Sequence, residues 1–186
     1  MSRAIQVRVS ESVVRTIHVE DGVQSPLEML PILGADRMAD LLATELEKLG
    51  FLRDGDLATR TDPDGIEVTI DLRAATVSVK LGATADLEEA IERRANVAEE
   101  SRTRVESSLR DDVMRELDER LGERTEALRR EVTSRLERKV ADLRTELDGA
   151  IGRATVEALT VRAGELGSVE SVIADEAGNV TIRVKV

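Results

Sequence analysis

From about Ala85 to Ala163 the chain contains no proline, and its apolar residues recur on one helical stripe. The stripe runs Val105, Leu109, Val113, Leu117, Leu121, Thr125, Leu128, Val132, Leu136, Val140, Leu143, Leu147 and Ile151. Twelve steps over 46 residues give about 3.8 residues per turn, longer than the 3.5 of a heptad seam. Helices meeting along such a stripe wind straight or right-handed, so the pattern predicts a coiled coil that is not of the leucine-zipper kind. Asp86, Glu88 and Glu89 suit a helix start, where the dipole favours negative charge, and Gly164 and Gly167 supply the stop. Acid-then-base pairs four residues apart (Glu89/Arg93, Glu100/Arg104, Glu106/Arg110, Asp111/Arg115, Glu116/Arg120, Glu126/Arg130, Glu131/Arg135) support a solvated outer face. Gly122 is a point where the helix either continues or folds back into a helical hairpin; Gly149 and Gly152 are a second weak point.

The flanking regions read as β-rich. Ile5, Val7 and Val9 alternate with polar residues, and Ile17 and Val19 resume the alternation after Ser10-Glu11-Ser12, which predicts two strands joined by a hairpin. Ser25-Pro26-Leu27-Glu28 has the chemistry of a helix start, and Pro31 cuts that piece short. Met38, Leu41, Leu42, Leu46 and Leu49 share one face of a clearer helix, ended by Gly50-Phe51. Asp62-Pro63-Asp64-Gly65 is a turn, and Ile66 to Leu72 and Val77 to Leu81 alternate as strands, with a further strand near Leu57 to Thr61. Val169 to Val186 reads as a hairpin around Glu176-Ala-Gly-Asn179. An isolated hairpin is marginal in water, so its apolar face must dock on something.

The expected class is α+β in three parts. Residues 1–82 form a small β-β-α-β-β domain, 83–165 the long coiled-coil helix, and 166–186 the C-terminal hairpin.

Composition narrows the chemistry. With 38 acidic and 27 basic residues the net charge is −11, which opposes nucleic acid or an anionic membrane as the main partner. Phe51 is the one aromatic residue, so stacking platforms for single strands are missing. No apolar run approaches the roughly 20 residues of a membrane span. The first residues lack a signal peptide's apolar core, and there is no cysteine. A soluble, cytoplasmic protein is the expectation.

No catalytic, cofactor-binding or metal-binding residue is predicted. His18 stands alone, without the several N or S ligands that zinc needs, and reads as an exposed strand residue. Asp54, Asp56, Asp62 and Asp64 fail the calcium-loop register, since Gly65 would put Arg60 at position 1 and Asp54 would put Ala58 at position 5. The helix carboxylates each have an arginine near, and Gly149-Ala-Ile-Gly152 lacks the lysine and preceding strand of a phosphate loop. No enzyme is expected.

Two stretches carry a resemblance: His18-Val-Glu-Asp-Gly-Val-Gln-Ser-Pro-Leu-Glu-Met-Leu-Pro-Ile-Leu33 and Ala174-Asp-Glu-Ala-Gly-Asn-Val-Thr-Ile-Arg-Val-Lys-Val186. Together with the helix, they resemble small accessory proteins encoded beside FtsH-like or MoxR-like AAA+ ATPases in bacterial multi-gene ternary conflict systems. The resemblance implies a non-enzymatic companion of an ATPase system and brings no functional residues with it. Two functional readings follow. One is a structural adaptor that self-associates through its coiled coil, a dimer being favoured, and presents β-rich ends to protein partners. The other is a monomeric regulatory module whose helical hairpin is a stalk and whose sheet edge binds peptides.

Overall fold

A computed structural model describes residues 4–174 and 179–185. The element order is β1 (Ala4–Pro26), α1 (Ala35–Glu47), β2 (Leu52–Asp54), β3 (Leu57–Thr61), β4 (Ile66–Asp71) and β5 (Thr76–Ala98). A 3-10 turn (Glu99–Ser101) then leads to α2 (Arg102–Leu166), β6 (Ser168–Ala174) and β7 (Val180–Lys185). Five strands form one sheet in the order β1-β5-β4-β3-β2, and β6 and β7 form a second, two-stranded sheet. The class is mixed α+β, as expected. Residues 176–178 of the expected C-terminal turn lie outside the described residues.

One expected break and one that the sequence left open are absent. The stretch Ser10-Glu11-Ser12 does not end a strand, because Glu11 stays in phase with Val7, Val9 and Val13 on the inward face and meets Arg110 Nε at 2.9 Å. The two predicted strands are therefore one. Nor is α2 interrupted at Gly122, Gly149 or Gly152: a single helix spans Arg102–Leu166, so the folded-back alternative is not what forms. The hairpin β6–β7 correspondingly shares no sheet with β1–β5.

One expected helix segment is a strand. Residues 85–98, read as the start of the long helix, are the second part of β5. Val77, Val79, Leu81, Ala83, Ala85, Leu87, Glu89 and Ile91 point inward with period 2. Alanine and glutamate favour helices by only a few tenths of a kcal/mol, and pairing with β1 overrides them. On the outer face Thr16 Oγ1 donates to Asp86 at 2.6 Å, His18 Nδ1 lies 3.0 Å from Thr84 Oγ1, and Arg8 pairs with Glu92. Partner numbers on β5 fall as those on β1 rise, so the two strands are antiparallel. The predicted helix start at Ser25 also fails. Ser25 and Pro26 close β1, and Leu27 N–H donates to Ala75 O at 2.7 Å, which holds the chain extended.

Other local predictions hold. Helix α1 ends as its sequence prescribes: Gly50 takes φ +84°, its N–H donates to Glu47 O, and Phe51 N–H reaches Leu46 O at 3.1 Å. This double closure buries Phe51. Gly65, at φ +77°, closes the turn between β3 and β4, with Asp62 N–H donating to Ile66 O. The strands β2 to β5 then pair antiparallel in succession.

The chain divides into two compact units, each discontinuous in sequence. Unit 1 contains residues 1–21 and 82–134. Its core joins Val7 and Val9 of β1, Ile91 of β5, and Val113 and Leu117 of α2, with Val13, Val97 and Leu109 packed around them. The helical stripe is thus seated on the chain's own sheet here, and the seam expected for a partner helix is already occupied. Its register is checkable. Glu11 faces Arg110 and Asp21 Oδ2 accepts from Thr133 Oγ1 at 2.6 Å. Ten strand steps cover about 33 Å and 23 helix steps about 35 Å, so β1 and α2 run parallel with matched rise.

Unit 2 contains residues 22–81 and 135–186. It buries Met38, Leu42 and Leu46 of α1, Ile66, Val68 and Ile70 of β4, and Val79 and Leu81 of β5. From α2 it buries Leu136, Leu143, Leu147 and the small residues Ala150, Ala154 and Ala158. Small residues let a helix approach its neighbours closely, which explains why the stripe changes from leucine to alanine along this stretch.

Leu117, 2% exposed in the unit 1 core, should cost about 2–4 kcal/mol on replacement by Ala. Met114, 46% exposed on the same helix, should cost under about 0.5 kcal/mol. Urea denaturation followed by circular dichroism separates the two.

Candidate functional site

Unit 2 carries two features that sequence periodicity does not describe: a cluster of partly buried charges and an open groove of mixed lining. The charges centre on Arg60, which the alternation of β3 turns inward beside Ala58. Its guanidinium lies 4.4 Å from the centroid of the Phe51 ring and donates to Leu49 O at 2.8 Å. Two further N–H groups bind both carboxylate oxygens of Glu146 on α2, each at 2.8 Å. Such a bidentate fork fixes direction as well as distance. Nε stands 2.9 Å from Asp62, whose other oxygen faces Lys139 on α2.

The charges perturb one another. Glu146 is held below the usual carboxylate range chiefly by its hydrogen bonds to Arg60, which outweigh the opposing effect of burial. Burial pushes Asp62 up, but Lys139 and Arg60 together overcome it and leave the group lowered. Arg60 is raised, first by Glu146. A second latch joins α1 to α2: Glu45 binds Lys48 and accepts from Arg153 Nε at 2.6 Å, and its titration is lowered, first by Lys48. Every one of these carboxylates is engaged by a cation. The cluster positions α2 and leaves no free acid–base pair facing a cavity.

The groove has a volume of about 540 Å³. Its floor is Val77 and Val79 of β5 with Leu143, Leu147 and Ile151 of α2. Val23, Pro26 and Leu27 form one wall; Ser25, Glu28, Arg144 and Asp148 stand on the rim. Gly152, a weak point of the helix by sequence, also lines the groove. Neither Glu28 nor Asp148 has an ion-pair partner among the described residues, and Val23 is 41% exposed.

The residues singled out from the sequence are dispersed. His18 sits on the outer face of β1, with Nε2 4.0 Å from Glu20. Asp54 ends β2, Asp56 lies 3.4 Å from Arg73, and the Asp64 carbonyl accepts from Arg135. Asp62 alone of the four enters the charge cluster. Among the described residues no three His, Cys, Asp or Glu side chains gather around one metal position. Of the predicted i,i+4 pairs Glu116–Arg120 forms, at 2.8 Å, while other helix arginines turn to the sheet. Arg110 takes Glu11, and Arg120 and Arg124 take Glu89. Arg60 and Glu146, 86 residues apart, carry no local signal; the inward phase of a lone arginine in β3 was the one clue. No helix of the described residues is long and apolar enough to cross a membrane.

A family model described as FtsH ternary system domain X5 matches residues 1–186. No curated protein and no solved structure matches the chain.

Because the folded-state carboxyls of Glu146, Asp62 and Glu45 titrate below their ordinary values, they stabilise the fold above the ordinary carboxylate range. That stability should be lost progressively as pH falls through about 4 and on toward the lowered folded values. Arg60→Met should cost about 2–4 kcal/mol at neutral pH, leaving Glu146 without its ion-pair partner and Asp62 with Lys139 alone. The gap between variant and parent should shrink from about pH 5 downward, as measured by urea midpoints across a pH series.

Proposed function

The chain belongs to the FtsH ternary system domain X5 family over its whole length, and on that premise we propose a non-catalytic accessory role in which it binds protein components of that system. A domain of an FtsH ternary system serves beside an AAA+ protease, and such a setting calls for recognition of protein segments. The reading is carried by one observation. Strand β1, 23 residues long, is the edge of the five-stranded sheet, and its outer side pairs with no described strand. Within unit 1 its residues 4–21 offer a row of main-chain donors and acceptors to an extended partner segment, the chemistry of β-strand addition. Val14, 69% exposed, supplies an apolar contact beside that edge.

The non-catalytic part of the reading is supported by the state of the inward carboxylates. Glu11, Glu89, Asp62, Glu45 and Glu146 are all tied to arginine or lysine. This favours the sheet-edge part of the binding-module reading, without its helical-hairpin stalk, over the adaptor built on a coiled coil, since Val113 and Leu117 of the stripe are already covered within the chain.

Amide hydrogen exchange, with and without the FtsH component of the same system, tests the proposal. Alternate amides of residues 4–21 should exchange rapidly in the free protein and become protected in the complex. Tight binding that leaves these amides unprotected would refute the edge, and failure to bind any component of the system would refute the accessory reading itself.

A further inference from the structure

Strand β5 changes neighbours along its length. Residues 76–81 pair with β4. Beyond Leu81 that side of β5 pairs with no described strand, while β1 continues on the other side through Thr16–Asp86 and Arg8–Glu92. The strands of unit 1 therefore form a two-stranded ribbon with an open edge on each side. The β5 edge presents unpaired main-chain donors and acceptors that suit another strand. Its sequence is its own complement in charge. Counting from Ile91, the residues two before and two after are Glu89 and Arg93, and those three before and three after are Glu88 and Arg94.

We propose that residues 85–97 of β5 pair antiparallel with the same residues of a second copy of this chain, about a two-fold axis through Ile91 and perpendicular to the sheet. In that register Glu88 stands opposite Arg94 on the outer face and Glu89 opposite Arg93 on the face toward α2, each twice by symmetry. Ile91 meets itself, Leu87 meets Ala95 and Ala85 meets Val97, so the apolar positions also match. A shift of the axis by one residue loses this. Centred on Ala90, Glu88 faces Glu92 and Arg93 faces Leu87; centred on Glu92, neither arginine meets an acid. The outer face has charge to spare within one chain. Arg8 and Arg94 share Glu92, whereas Glu88 has no ion-pair partner among the described residues. The helices fit as well. Helix α2 touches both strands of the ribbon, Arg110 reaching Glu11 and Arg124 reaching Glu89. Two copies thus bring their helices about two strand spacings apart, roughly 10 Å, which is a helix-packing distance. On the flank of α2 beside Arg93, Asp112 is held by Arg115 and Glu116 by Arg93 and Arg120, so Glu119 alone brings an acid without a partner among the described residues. The contact leaves the edge of β1 over residues 4–21 free, so it stands or falls apart from the capture of a partner segment.

Light scattering on the full chain from micromolar to millimolar concentration tests this. The parent should reach twice the chain mass of 20.4 kDa. E88R or R94E alone sets two like-charge pairs across the axis and should raise the dissociation constant about tenfold or more. Circular dichroism should not change, because both side chains are exposed. An equimolar mixture of the two variants places opposite charges at both contacts again, and should dimerise as the parent does. A parent that stays at one chain mass throughout the range overturns the proposal. So does a dimer indifferent to either substitution, or a pair of folded variants that associate no better mixed than alone.

Discussion

Within each unit, strands packed against a stretch of α2 must satisfy their inward-pointing polar positions with something that helix carries. Most inward positions here are valine, leucine or isoleucine, but Glu11, Asp21 and Glu89 in unit 1 and Arg60 in unit 2 are not. Each meets a complementary group on α2: Arg110, Thr133, Arg120 with Arg124, and Glu146. An apolar stripe alone tolerates sliding by one turn, because leucine packs on leucine either way. The polar contacts do not, since a slip of about 5.4 Å would leave every inward charge without its partner in a site of low dielectric. Register between helix and sheet is therefore set by charge, and the apolar stripe supplies the bulk of the burial.

That division explains why Arg110 and Arg124 reach past their sequence neighbours, and why Arg120 divides itself between Glu116 and the sheet. An exposed i,i+4 pair contributes a few tenths of a kcal/mol, whereas a half-buried carboxylate deprived of its cation costs several times more. Arg110, Arg120 and Arg124 accordingly reach across to β1 and β5. A covered seam, a long free strand edge and an uncovered hairpin together describe a protein whose unsatisfied surface is at its edges.

Much of the local structure was legible. The closure of α1 by Gly50 and Phe51, the Gly65 turn, the alternating strands from Leu57 to Leu81, the helix stop near Gly167 and the C-terminal hairpin all follow from short-range sterics. The errors have one source. Ala83 to Ile91 alternates with period 2, but its inward residues include two alanines and a glutamate, so the apolar signal was weak and helix propensity spoke louder. Glu11 likewise looked like a break in β1 because its partner, Arg110, is 99 residues away. The charge cluster of Arg60, Asp62, Lys139 and Glu146 was hidden for the same reason.

By itself, then, the sequence determined the α+β class, the amphipathic stripe of the long helix, the main turns, and the need of the C-terminal hairpin for a cover, while the continuity of that helix through Gly122 was left to the structure. Those depend on periods and on residues within a few positions of one another. Only the tertiary structure decided that the stripe would face the chain's own sheet rather than another helix, that β1 and β5 would run on to 23 residues each, and which acid would meet which base. Those choices depend on pairs brought together across tens of residues. A charge placed where a strand turns inward has no meaning until the helix that neutralises it has arrived.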